Sequence, residues 1–130
     1  MKTAFLRFVS LVFLVSLVSL ASCDDALSDS SGVPRTSRVG QLNAADAARL
    51  CDWTNQRQGG YGRTVSCAGG DDQVTDSDQK ECTDAQVLIA AGCPSLTVAD
   101  VEDCTNAVQT DLCRYPTAPA CAAVRACIGS

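Results

Sequence analysis

At 130 residues the chain has room for one domain, and 15 acidic against ten basic side chains give a net charge of −5. That balance excludes the basic patch a phosphate backbone requires, so no nucleic-acid partner is expected. There is no histidine, which removes the usual general base and every Ser-His or Cys-His pair, while nine cysteines dominate the composition.

The chain opens with two basic residues, Lys2 and Arg7, followed by a run from Phe8 to Leu20 that holds only apolar residues and serine. The run is shorter than the ~20 residues a membrane-spanning helix needs and has the proportions of a signal-peptide core. It closes on Leu20-Ala21-Ser22-Cys23. This sequence resembles the lipobox of bacterial lipoprotein precursors: an aliphatic residue, two small ones, then cysteine. The resemblance implies a lipoprotein signal peptide over residues 1–22, cut before Cys23. It also implies a diacylglycerol on the Cys23 sulfur and an acyl chain such as palmitate on its amine. Two or more chains meet the requirement for stable anchoring. Ordinary secretory cleavage after Cys23 is the alternative. Removing residues 1–22 takes away Lys2 and Arg7, so the remaining chain moves from −5 to −7.

Residues 23–41 begin at Cys23 and continue as DDALSDSSGVPRTSRVGQ, rich in Ser, Asp, Gly and Arg without a periodic apolar face. This composition predicts a disordered tether. As a flexible coil it would hold the domain roughly 25 Å from the lipid.

Residues 42–130 carry the start signals of four helices. Asn43 is a good N-cap with Asp46 at the third helical position, and Ala47, Leu50, Cys51, Trp53 and Thr54 share one side before Gly59-Gly60. A second helix, capped by Ser77 or Thr83, reaches about Ala91 and places Cys82, Ala85, Ile89 and Cys93 in a stripe. A third begins with a capping box (Thr97, Asp100) and a hydrophobic staple (Leu96, Val101), then carries Cys104, Thr105, Val108 and Leu112 inward. The fourth starts near Pro119, with Cys121, Val124, Cys127 and Ile128 on its inner side.

Cys51, Cys67, Cys82, Cys93, Cys104, Cys113, Cys121 and Cys127 are even in number, contain no C-x-x-C, and leave Cys23 outside the set. They read as a disulfide framework, not a zinc or redox site, and no cofactor is expected. From Cys23 onward only 17 residues are Leu, Ile or Val, and Trp53, Tyr61 and Tyr115 are the only aromatics. So little apolar material does not offset the ordering entropy unaided. About four disulfides, each worth ~2–4 kcal/mol, would supply the difference. Eight cysteines allow 105 pairings. The opposed intervals around the last loop favour a nested pair, Cys113–Cys121 inside Cys104–Cys127. The fold class expected is therefore all-α: a small four-helix domain stapled by about four disulfides, preceded by a signal peptide and a tether.

Leu50-Cys51-x-Trp53, Gly59-Gly60-Tyr61-Gly62 with Cys67, and Cys93-Pro94-x-x-Thr97-Val98 with Cys104, Cys113, Cys121 and Cys127 make this region similar to small cysteine-rich lipoproteins of uncharacterised function in Gram-negative bacteria. That resemblance implies an envelope location, on the periplasmic face or at the outer membrane or cell surface. It carries over no functional residues.

Candidate sites are few. Trp53 and Tyr61 would make an aromatic binding surface for a glycan or peptide if both faced solvent; a core Trp53 is the more ordinary outcome. Asp71, Asp72, Asp76 and Asp78 cluster without the spacing of an EF-hand, so they read as a solvated loop at a helix start and not as a metal site. The carboxylate neighbours Glu102-Asp103 and Asp71-Asp72 are adjacent in sequence, and adjacent residues do not face each other on a helix. No catalytic residues are assigned and the chain is not expected to be an enzyme. The reading is a lipid-anchored, non-catalytic binding or interaction module of the cell envelope, with the membrane and an envelope protein or glycan as partners. The alternatives are a structural envelope protein without a discrete ligand, and a carboxylate-based hydrolase.

Overall fold

A computed structural model describes residues 28–128; the expected signal peptide, Cys23 and the residues up to 27 lie outside the described part, as do 129 and 130. The described chain is mostly helical: α1 (Ala44–Arg57), α2 (Gln79–Gly92), α3 (Val98–Val108) and α4 (Ala122–Ile128), with a strand pair β1 (Thr64–Ser66) and β2 (Asp72–Val74) between α1 and α2. Single 3-10 turns at Val39–Gln41, Leu112–Arg114 and Pro119–Cys121 complete it. Among the described residues no helix is long and apolar enough to cross a membrane.

The helix starts follow their local chemistry. The Asn43 side chain accepts from the Asp46 amide at 2.9 Å, which occupies one of the donors left open in the first turn of α1. Thr97 and Asp100 form the reciprocal capping box of α3, with Leu96 buried ahead of it. α2 is capped by Asp78, whose carboxylate accepts from the Glu81 amide, and not by Ser77 or Thr83. α3 ends at Val108 because Gln109 adopts φ +48, and Leu112 then reaches the core from the following 3-10 turn, not from the helix.

Two expectations are corrected by the backbone. The domain is not all-α. β1 and β2 form an antiparallel hairpin pairing Thr64 with Val74, Val65 with Gln73 and Ser66 with Asp72. Gly69 and Gly70 turn it at φ +113 and +90, a conformation glycine adopts without the Cβ clash. The disordered tether is also corrected, from Ser28 onward. Val33 and Val39 are core residues, Val39 donates its amide to the Leu96 carbonyl, and Arg38 forms a bridge with Thr97. The folded body thus includes residues 28–41 as a strap; it does not begin at Leu42.

The core has two parts. Val33, Val39, Leu50, Trp53, Leu96 and Val98 form one beneath the strap, and Cys104, Val108, Leu112, Ala118 and Cys121 form the other; Val124 of α4 packs against both. Four disulfides cross-link these parts: Cys51–Cys82 joins α1 to α2, Cys93–Cys127 the end of α2 to α4, Cys104–Cys121 α3 to the turn before α4, and Cys67–Cys113 the hairpin to the 3-10 turn after α3. The nested pairing Cys113–Cys121 and Cys104–Cys127 is therefore wrong. The turn at Gln109 carries Cys113 off the α3 axis toward the hairpin, so Cys104 and Cys121 approach to a Cα separation of 4.4 Å.

Candidate functional site

Glu102 of α3 is fully buried, and its partners come from the strap. Its Oε1 accepts from the Ser31 amide at 2.6 Å, the Ser31 hydroxyl at 2.7 Å and the Ser30 hydroxyl at 3.1 Å. Its Oε2 accepts from the Arg35 guanidinium at 2.9 Å, and the same guanidinium reaches Asp103 at 2.6 Å. These hydrogen bonds offset the cost of taking the carboxylate out of water. The Asp103 hydrogen bond, opposed by partial desolvation and helped by both acids, holds Arg35 above its ordinary value. Glu102-Asp103 is thus a clasp that fastens the strap.

Trp53 lies under the same strap. It is 7% exposed, and its indole nitrogen donates to the Ser28 carbonyl at 2.7 Å, while the Arg57 guanidinium stands 5.9 Å from the ring centroid. Arg57 also donates to Asp29 and Asn106, which fixes the strap's first residues on α1 and α3. Tyr61, in the glycine-flanked turn after α1, is half-buried and donates its hydroxyl to Asp52 at 2.9 Å. Burial, then the Asp52 hydrogen bond and nearby acids, raise its ionisation well above the ordinary tyrosine range. The proposed aromatic surface therefore does not form: the Trp53 face is spent in the core and Tyr61 is tied down locally.

The acid-rich loop is likewise divided by the fold. Asp72 sits in β2, Asp78 caps α2, and Asp76 accepts from the Asn55 amide nitrogen at 3.2 Å. Among the described residues no three His, Cys, Asp or Glu side chains converge as metal ligands.

A concave site stands elsewhere. A cleft of about 310 Å³ opens between the hairpin and α4, with Thr54 and Gln58 of α1, Val74 of β2, Val108, Leu112, Tyr115, Val124 and Ile128 among its walls. Behind it lies an inner chamber of about 140 Å³ with Ile89, Leu96 and Val101 in its lining. Thr54, Asp76 and Val124 line both spaces. Two of the most exposed large apolar residues, Val74 and Ile128, form the lip. Three polar atoms of these lining residues are buried and have no protein partner: Thr54 Oγ1 and the Tyr115 hydroxyl beside the cleft, and Gln86 Oε1 beside the chamber. Burial raises the Tyr115 hydroxyl, against a smaller opposing effect of Arg125, so it remains protonated at neutral pH. Asp76 is the single carboxylate in these walls, and neither lining contains Lys or Arg.

Helical period puts Thr54 on the inner side of α1 and Val124 and Ile128 on that of α4, and it does not join them. The contributors span Thr54 to Ile128, and no spacing pattern connects a hairpin residue to a helix end. No family model matches this chain, and no curated protein or solved structure is significantly similar to it.

Proposed function

We propose that this chain is the precursor of a lipid-anchored protein of the bacterial cell envelope, with a signal peptide over residues 1–22, a lipid on Cys23, and a folded body from Ser28 that serves as a non-catalytic binding module. The observation that carries this reading is the accounting of sulfur. The eight cysteines from Cys51 to Cys127 are bonded to one another. Such bonds persist in oxidising compartments. They leave Cys23, at the end of Leu20-Ala21-Ser22-Cys23, as the one cysteine outside the framework. Cys23 also stands only five residues before Ser28. Five extended residues reach at most about 18 Å, so a lipid on Cys23 would keep the body close to the bilayer surface. A cross-linked scaffold with a formed, largely apolar cleft supports binding as the body's role.

Intact mass of the native protein tests the anchor. The expected species lacks residues 1–22, carries diacylglycerol and a further acyl chain, and is lighter by the eight hydrogens of four disulfides. An unacylated chain starting at Asp24 would refute the anchor. Native pull-down from envelope extracts tests the module: a discrete protein, glycan or small molecule retained in saturable amount supports it, and retention of none of these counts against it.

A further inference from the structure

The cleft between the hairpin and α4 has walls that are each anchored to a neighbouring element by a covalent bond. Cys67–Cys113 fixes the hairpin, Cys93–Cys127 fixes α4, and Cys51–Cys82 fixes α1 against α2. Each bond limits how far its wall drifts from the element it is tied to. A void between fixed walls is a preformed site. Its apolar walls and the exposed Val74 and Ile128 at its lip favour an apolar guest, since burying the guest and the lip together removes both from water.

The polar atoms narrow the choice. The Asp76 carboxylate lines the cleft and accepts hydrogen bonds, and Thr54 Oγ1 and Tyr115 OH lie buried and unpartnered in the wall beside it. A guest group that donates satisfies that carboxylate. A guest carboxylate or phosphate would face Asp76 across a partly desolvated space with no Lys or Arg in the lining to offset it. The body's overall excess of acids adds to that disfavour.

We propose that this cleft and the chamber behind it bind a small apolar molecule carrying an amine or hydroxyl group, with the apolar part directed past Val124 into the chamber and the donor held by Asp76 in the wall it shares with Thr54 and Tyr115. The size of the outer space, about 310 Å³, is at the small end of ligand sites, which suits a single short chain or one ring system. The proposal rests on the reading of the body as a binding module and is independent of the lipid on Cys23.

The test uses the native mature chain as purified from the producing cell, without added bilayer, and three probes that share a six-carbon tail: hexylamine, hexanol and hexanoate. Titration followed by two-dimensional NMR is expected to give saturable shifts centred on Thr54, Tyr115 and Val124 for the amine and the alcohol. Hexanoate should bind about tenfold or more weakly than the amine, because Asp76 changes from attraction to repulsion. The Asp76→Asn variant should reduce the preference for amine over alcohol to about threefold or less. Val124→Phe should remove binding by filling the passage between the two spaces. Should that variant fold poorly, the lip variant Val74→Ser/Ile128→Ser, altered only at exposed positions, should weaken all probes together. Uniform shifts that never saturate, or hexanoate binding as tightly as the amine, would overturn the site. A pull-down partner retained while every probe fails at these residues would sink this site and leave the binding-module reading standing.

Discussion

At the scale of single residues, Glu102 shows how one side chain decides where the domain begins. Its carboxylate accepts four hydrogen bonds from residues about 70 positions earlier in the chain. Glu102→Ala leaves the Ser31 amide and two hydroxyls without their acceptor, and is expected to cost about 2–3 kcal/mol. Urea denaturation measures the loss, and hydrogen exchange at Ser31 and Val33 should show the strap opening before the helices. Nothing local in the sequence announces this role. Ser30, Ser31 and Arg35 have the composition of a spacer, and composition is blind to a partner that arrives only with α3. Trp53 was more legible, since its place on the inner side of α1 follows from helical period. The bond from its nitrogen to Ser28 depends on the strap and was not legible.

At the scale of elements, the helices were readable wherever a cap and an apolar stripe agreed. α3 is the clearest case, and Thr97→Ala should cost about 1 kcal/mol by removing the acceptor of the Asp100 amide. A matching drop in denaturation midpoint without a change in m-value checks it. The hairpin is not legible in the sequence, for a physical reason. Its strands are three residues each, and no residue of either is fully buried, so no alternation was long enough to stand out. The available signal was the β-branched Thr64-Val65 and Val74-Thr75 flanking Gly69-Gly70. Because it buries so little, the hairpin depends on its staple. The double variant Cys67→Ala/Cys113→Ala should lose up to about 4 kcal/mol by loop closure over 46 residues. Exchange protection should vanish at Val65 and Gln73 first while α1 and α3 stay protected. Loss of protection throughout the molecule at once would contradict that dependence.

At the scale of the whole molecule, two modest cores share Val124 and are joined by four covalent links. The cysteine count and the shortage of apolar residues made this plan legible. The pairing was not, because it depends on where the turn at Gln109 sends the chain. The fold also sets a limit in alkali. Tyr61 and Tyr115 both ionise above the ordinary tyrosine value, chiefly through burial. The protonated forms are therefore favoured in the folded state, and their contribution is intact below about pH 10, where unfolded tyrosine also keeps its proton. Above that it falls as pH climbs toward the folded values. Urea midpoints should hold between about pH 8 and 9.5 and decline beyond about pH 10. A Tyr61→Phe/Tyr115→Phe chain should decline less over the same interval.

The order of the sulfur bonds has a consequence for biogenesis. Numbered as they are synthesised, the eight cysteines bond first to third, second to sixth, fourth to eighth and fifth to seventh. No native bond joins neighbours. Under the proposed export, a polypeptide oxidised while it threads out of a translocon meets its nearest neighbour first, so Cys51 would be offered Cys67 before Cys82 has appeared. Early bridges of that kind must be broken and remade by thiol–disulfide exchange. Yield in the producing cell should therefore depend on an isomerase and not on an oxidase alone. Deleting the isomerase should leave fully oxidised but scrambled chains, visible as several species on a non-reducing gel. A single native band in its absence would mean that the chain delays oxidation until folding has chosen the partners.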